Sequence, residues 1–429
     1  MKTSLHTLEN GLKLLLVDTA SFPSLTSLVL VGAGSRYEDE MTNGIAHFFE
    51  HMAFKGSKNY PNSFAISSTI DGFGGINNAF TSKDYTGYWI KAPSVHVEKC
   101  VDVLADMIQN PLLKEDDIKT ERGVIIEEIN MYEDMPSRDI YDVFETVMYQ
   151  NSRLAMPIIG TKETVSSFTS ETFRDYINTF YHPNNAVMIL AGGLYVDGKK
   201  ESDYINLVKE KFGSWKNLDV SPPEKYISDQ KTPRIFVKSK KTEQAHFALG
   251  FKTFSFKDER KYALSILSTI LGGGMSSRLF MEVREKKGLC YYIHSYSDFY
   301  EDTGALVTNA GVSLSPEQVR QAISLTLDEH TKMKKGEITT EEIVRAKEIL
   351  KGNMVLGLED SQRVANFFGK ALLQENELKN PEEIIKEIEK VTIEDLTSVA
   401  KEYFVPGNLT IAMIGPLEEK VLKEFENWK

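Results

Sequence analysis

The chain has 429 residues, 41% apolar and 26% charged, with 28 Gly and 14 Pro. That composition excludes collagen-like, coiled-coil and wholly disordered architectures and predicts two to four domains. The formal charge of -12, from 50 Lys and Arg against 62 Asp and Glu, repels a phosphate backbone on average. No basic patch offsets it, so no nucleic-acid partner is expected.

Cys100 and Cys290 are the only two cysteines, too few for a disulfide framework or a thiolate metal cluster. The stretch Met1–Asn10 is polar and holds no apolar signal core. Leu12–Val17 is far shorter than the ~20 residues that span a bilayer. The expectation is a cytoplasmic protein with no membrane partner.

In chain order, strands are predicted at Leu12–Val17 and Thr26–Val31, with helices at Ile45–Lys55 and Ser63–Ile70. A strand follows at Tyr85–Lys91, then helices at Val95–Gln109 and Glu115–Met135, closed by Pro136. A helix at Asp139–Tyr149, a strand at Ala186–Ala191 and a helix at Tyr204–Phe212 complete the first half. The stretch 216–233, with Ser221-Pro222-Pro223, has no sustained period and reads as a linker between domains at 1–215 and 234–429.

The second half opens with strands at Arg234–Lys238 and Gln244–Gly250, then helices at Glu259–Leu271 and Ser277–Lys287. Strands at Leu289–Ser297 and Gly304–Ala310 precede a helix at Pro316–His330. A long charged helix spans Thr340–Leu373; it reads as solvated and kinked or broken near Gly352 or Gly357. A strand at Leu409–Ile414 and a last helix at Glu418–Trp428 close the chain. Both halves read as α+β, with helices laid on a mostly antiparallel sheet, and their similar order hints at duplication. Gly272-Gly273-Gly274 lacks the spacing of a nucleotide-binding loop and reads as a tight turn.

One helix is unusual. In His47-Phe48-Phe49-Glu50-His51, at about 100° per residue, both histidines and Glu50 fall within an arc of roughly 100°. Ala46, Phe48, Phe49, Met52, Ala53 and Phe54 fill nearly every other direction, so the helix is buried and its polar groups need partners. Histidines at i and i+4 stand one turn apart and can hold one cation, with Glu50 close enough to polarise a metal-bound water. The order is H-x-x-E-H, the inverse of the commoner zinc motif. A pair of core histidines satisfied by hydrogen bonds is the competing reading.

A zinc site needs a third protein ligand. On the helix from Glu115, Glu128 and Glu121 lie in the stripe of Val124, Ile125, Ile129 and Tyr132, whereas Glu127 points to the side. The wheel therefore selects Glu128 as the inward ligand and Glu121 as a supporting acid that receives a bond from a ligand histidine.

These residues resemble the inverzincin metallopeptidases of the pitrilysin or M16 family, and most of all its short members related to mitochondrial processing peptidase. His47, Glu50 and His51 match the family's metal and base positions, and Glu121-Arg122-Gly123-Val124-Ile125-Ile126-Glu127-Glu128 matches its downstream ligand motif. Asn78, Ala79, Phe80 and Thr81 resemble the strand that pairs with bound substrate, and Arg284 and Tyr291 match a family Arg/Tyr pair. The stretch 152–161 departs from the pattern: the family's loop often carries a histidine before Pro157, and this one has none.

The resemblance implies two similar alpha/beta roll domains of the LuxS/MPP-like metallohydrolase fold. It implies one Zn2+ per catalytic chain, held by His47, His51 and Glu128, with Glu50 as general base and Arg284 and Tyr291 as donors to the oxyanion from a clamping second domain. The expected substrate is a peptide or an unfolded polypeptide segment, and the expected assembly is a homodimer, with a heterodimer with a related subunit as the variant form. The rival reading is a noncatalytic assembly subunit that kept the fold, against which the intact set of His47, Glu50, His51 and Glu128 argues.

Overall fold

A computed structural model describes residues 1–428 except 21, 196 and 197. The strands are β1 Lys2–Thr7, β2 Lys13–Asp18, β3 Ser24–Val31, β4 Ile76–Thr81, β5 Thr86–Pro93 and β6 Ala186–Gly192, then β7 Arg234–Ser239, β8 Ala245–Thr253, β9 Cys290–Phe299, β10 Gly304–Val312 and β11 Leu409–Gly415. The helices of the first half are α1 Ile45–Ala53, α2 Ser63–Gly72, α3 Val97–Gln109, α4 Glu115–Glu133, α5 Pro136–Met148, α6 Lys162–Ser167, α7 Ser170–Phe180 and α8 Glu201–Phe212. Those of the second half are α9 Lys261–Gly272, α10 Pro316–Lys334, α11 Thr340–Gly357, α12 Ser361–Gln374, α13 Pro381–Lys390 and α14 Ile393–Tyr403. No helix among the described residues is long and apolar enough to cross a membrane.

The chain forms two compact units, each an α+β layer structure with helices packed on a mostly antiparallel sheet. Unit 1 comprises Met1–Ile129, Met156–Glu224 and Leu356–Lys379; unit 2 comprises Asn130–Ala155, Lys225–Val355 and Asn380–Lys429. The sheet of unit 1 runs β1-β2-β6-β3-β5-β4 and that of unit 2 runs β7-β11-β8-β10-β9. Apart from β1, both sheets take their strands in the same sequence: first, fifth, second, fourth, third. In each, the first and fifth strands are parallel and the other pairs antiparallel.

The chain passes from one unit to the other between Glu224 and Lys225, inside the expected linker 216–233, and also at four earlier or later points. Those extra crossings exchange helices. α5, from the first half, packs on β8 and β11 of unit 2, and α12, from the second half, packs on β3 and β6 of unit 1. Val364, Ala365, Phe368 and Leu372 sit at i, i+1, i+4 and i+8 on α12, so one face carries them all into the cluster of Leu15, Val17, Leu28, Leu30 and Ile189. Gly369 makes the approach possible, because a Cβ there would lie 2.8 Å from Ile189 Cδ1 and 2.9 Å from Leu30 Cδ1. The opposite face of the same sheet serves the functional helix: Tyr88 of β5, across from Val29, meets Phe49 of α1 edge-on, with ring centroids 6.4 Å apart.

Several expectations need correction. The long helix Thr340–Leu373 is broken after Gly357, one of the two places expected, and the Asp360 side chain accepts from Gln362 N–H and Arg363 N–H and starts α12. The α12 half is buried in unit 1 and not solvated. Glu418–Trp428 forms two short 3-10 turns, Glu419–Val421 and Lys423–Asn427, in place of a helix. The segment Phe280–Glu285 winds as a wider π-type turn. The pattern reading also omits β1, an edge strand with little apolar content, and α6, α7, α13 and α14, whose ends are set by capping side chains.

Candidate metal centre

The N-terminus of α1 is built from three directions. Its N-cap is Gly44, at φ 95°, which offers no side chain. The missing cap comes from Glu38, only 2% exposed, whose carboxylate accepts from Gly44 N–H at 2.8 Å, Ala46 N–H at 2.8 Å and Asn43 Nδ2 at 3.0 Å. An oxygen acceptor there answers the orphan N–H groups at the start of the helix. Burial nonetheless pushes the Glu38 carboxyl up to about 8, against the pull of those donors and of Lys83. The third direction is the loop that lacks the expected histidine. Asn43 Nδ2 also donates to Pro157 O at 2.9 Å, and a Cβ on Gly160 would lie 2.6 Å from Asn43 O and 2.8 Å from Gly44 Cα.

The apolar sides of α1 are held by aromatic rings. Phe48 packs against Phe168 and Phe173, and Phe49 against Tyr88, Tyr176 and Tyr181. That grip fixes the helix about its axis and turns His47, Glu50 and His51 to the remaining side.

On that side the structure brings His47, His51 and Glu128 together, with one ligating atom of each within 4.8 Å of the others. The two imidazole rings lie 4.7 Å apart, and Glu128 Oε2 is 3.8 Å from His47 Nε2 and 3.6 Å from His51 Nε2. These separations exceed hydrogen-bond length and approach the ~3.4 Å between donors of a tetrahedral centre with bonds of ~2.1 Å. Burial, aided by the charge of His51, pushes the His47 imidazole down to about 3, which keeps its lone pairs available. Its Nδ1 is buried with no hydrogen-bond partner. Two imidazole nitrogens and one carboxylate oxygen, facing one another without bonding, fit a zinc ion.

The surrounding groups orient these donors. His51 Nδ1 donates to Glu121 Oε1 at 2.9 Å, which leaves Nε2 as the lone-pair atom on the Glu128 side. The Lys55 ammonium pairs with the other oxygen of Glu121. Burial raises the Glu121 carboxyl, but the bonds from His51 and Lys55 overcome it and hold it below its usual value. For His51 burial acts downward, and the Glu121 bond with the nearby carboxylates carries the imidazole upward. Glu50 is not among the three converging groups. Its Oε2 accepts from Thr81 Oγ1 at 2.6 Å, and burial followed by the charge of Glu128 pushes its carboxyl up against the Thr81 bond and His51.

Thr81 ends β4, the edge strand of the unit 1 sheet, which among the described residues pairs only with β5. Asn78, Ala79, Phe80 and Thr81 all lie on it. Arg284 and Tyr291 belong to unit 2, where the Arg284 guanidinium lies 4.5 Å from the Phe280 ring centre and 5.6 Å from that of Tyr291, whose side chain is 77% exposed. The sequence reading omits Glu38, Lys55 and the Thr81 hydroxyl as partners of this site. Their partners lie 5 to 66 positions away, and only chain reversals bring them close.

An inverted H-x-x-E-H helix on such a sheet, completed by a glutamate from a following helix, defines a metallopeptidase centre. Residues 13–162 match the model described as insulinase, peptidase family M16, and residues 167–350 match that of the peptidase M16 inactive domain. The chain is 36% identical over 416 residues to the uncharacterised zinc protease YmxG of Bacillus subtilis, covering 96% of this chain and 98% of that one. It is also 36% identical to an uncharacterised zinc protease of Streptomyces coelicolor, covering 96% and 90%. A solved protease from Helicobacter pylori superposes with a TM-score of 0.89 at 29% identity, over 97% of this chain and 99% of that one. The chain belongs to the M16 family of metallopeptidases.

Proposed function

We propose that the chain is a zinc-dependent endopeptidase that cleaves peptides or unfolded polypeptide segments. The observation that carries this reading is the convergence of His47, His51 and Glu128 beside Glu50, a half-buried carboxyl held outside the ligand set. A zinc ion held by the three supplies Lewis acidity to the scissile carbonyl and to the attacking water. Glu50 takes the proton from that water and hands it to the leaving amine. Thr81 occupies Oε2 of Glu50, so Oε1 handles the proton, and the upward shift of the carboxyl suits a group that must both accept and release it.

The free edge of β4 receives the substrate as an added strand, paired through its main chain along Asn78, Ala79, Phe80 and Thr81. Main-chain pairing tolerates many sequences, and the Thr81 bond ties that strand to the base. Arg284 and Tyr291 donate to the oxyanion of the tetrahedral intermediate, a role supported by their match to the family pair and by the exposure of Tyr291. The working assembly is a homodimer, or a heterodimer with a related subunit; sedimentation of the purified chain as a monomer alone would contradict the first.

The experiment incubates purified protein with a mixed peptide library, with and without chelator, and reads cleavage sites by mass spectrometry and zinc by elemental analysis. Wild type cleaves internal bonds and chelation stops it. Glu50→Gln keeps its zinc and loses turnover by at least ~100-fold, and Tyr291→Phe keeps its zinc and cleaves ~10- to 1,000-fold more slowly. Full activity in Glu50→Gln, or cleavage that survives chelation, overturns the reading.

A further inference from the structure

One donor on the outer edge of β4 is already taken. The hairpin of β4 and β5 keeps an unbroken register from Ile76 opposite Lys91 to Thr81 opposite Thr86. One residue further, Ser82 N–H donates to Tyr85 O at 2.9 Å, which makes Ser82 and Tyr85 a hydrogen-bonded pair. Such pairs recur at every second position of an antiparallel ladder. Phe80, Asn78 and Ile76 therefore turn their N–H and C=O groups inward to β5. Thr81, Ala79 and Asn77 turn theirs outward, to the side where a further strand is added.

On that outer side the Ala79 N–H is engaged. It donates at 2.9 Å to Oδ1 of Asn78, its own neighbour in the chain. Asn78 is exposed, so the bond opens by rotation of one side chain and leaves the core as it is. An unpaired edge invites strands of other chains, and folded proteins blunt such edges with their side chains. Here the blunting falls two residues, about 7 Å, from Thr81, whose hydroxyl holds Oε2 of Glu50. A strand added antiparallel exchanges two bonds with Ala79, and the bond from its N–H forms only after Asn78 lets go.

Building on the reading of β4 as the substrate strand, we propose that the Asn78 side chain is a self-cap, which occupies the Ala79 N–H in the free chain and is displaced when substrate pairs with the edge. The carboxamide then swings into water and a substrate carbonyl takes the place of Oδ1. Affinity is lowered by the fraction of molecules in which the cap is shut. A chain that offers one isolated carbonyl only trades one bond for another and gains little. An extended segment adds bonds at Asn77, Ala79 and Thr81 together, so the cap selects for extended, unfolded substrate.

The test uses the full chain, zinc-loaded and carrying Glu50→Gln so that substrate is held and not cut. Fluorescein-labelled casein, an unfolded polypeptide, is titrated by anisotropy, and exchange of the Ala79 amide is followed by NMR. Before casein is added, the Ala79 amide is protected. Asn78→Ala in the same background removes that protection and tightens casein binding ~2- to 10-fold, the worth of one net hydrogen bond. Asn78→Val, which also lacks an acceptor and suits a strand, carries the comparison if Asn78→Ala does not fold. Saturating casein slows Ala79 exchange in every variant. Unchanged casein binding without the cap, or the weaker binding of a lost substrate contact, overturns the self-cap and leaves the substrate edge standing. So does Ala79 exchange that is equally fast with and without Asn78. Casein that protects Ala79 in no variant overturns the edge reading and the self-cap with it.

Discussion

The His51 imidazole gives its Nδ1 proton to Glu121 Oε1 at 2.9 Å, two turns ahead of Glu128 on the same helix. One helix thus presents both a facing carboxylate and the group that aims the histidine toward it. Glu121→Gln keeps the shape but removes the charge that fixes the ring and balances Lys55. Zinc affinity, measured by competition with a chelator, should fall ~10- to 100-fold. An unchanged affinity would mean that packing alone holds the ring.

Glu38 makes a pH prediction of definite sign. Its carboxyl titrates near 8 in the fold, against an ordinary value of 4.5. Between those values the unfolded chain has released a proton that the folded chain still holds, so this group makes stability fall as pH rises from about 4.5 to 8, and level off beyond. Glu38→Gln, which keeps an acceptor but cannot ionise, should remove that part of the slope in denaturant melts run across the range. Glu38→Ala, which leaves the Gly44 and Ala46 N–H groups unanswered, should cost about 1–3 kcal/mol at any pH. A Glu38→Gln curve parallel to wild type would refute the assignment.

Phe368 tests the exchange of helices. It is fully buried against the unit 1 sheet although it lies in the second half of the sequence. Phe368→Ala should cost ~3–5 kcal/mol. Hydrogen exchange should then quicken in β3 and β6 and leave β8 and β11 as they were. Faster exchange confined to β8 and β11 would place α12 in the wrong unit.

The metal helix could be read from the sequence because His47, Glu50 and His51 are the polar minority on an otherwise apolar cylinder. Period alone also set Glu128 and Glu121 on one face of α4. Sheet class followed from short apolar runs between glycines. The destination of α12 did not follow: its period gives an apolar face at Val364, Ala365, Phe368 and Leu372 but does not say which sheet that face covers. Glu38 was equally silent, since a cap supplied from outside the helix leaves no S-x-x-E signature. The short helices α6 and α7 carry Thr161/Thr164 and Thr169/Thr172 caps, in which a second Thr stands where Glu is the usual signal.

The traded helices have a consequence for synthesis. A ribosome delivers His47, His51 and Glu128 early, yet the sheet behind them keeps Leu15, Leu28 and Ile189 bare until the stretch ending at Lys379 has emerged. A nascent chain therefore carries the three converging side chains before the body that holds them is finished. Unit 1 closes its core only after 130–155 and 225–355 of unit 2 have been made, so the two units cannot finish folding one after the other.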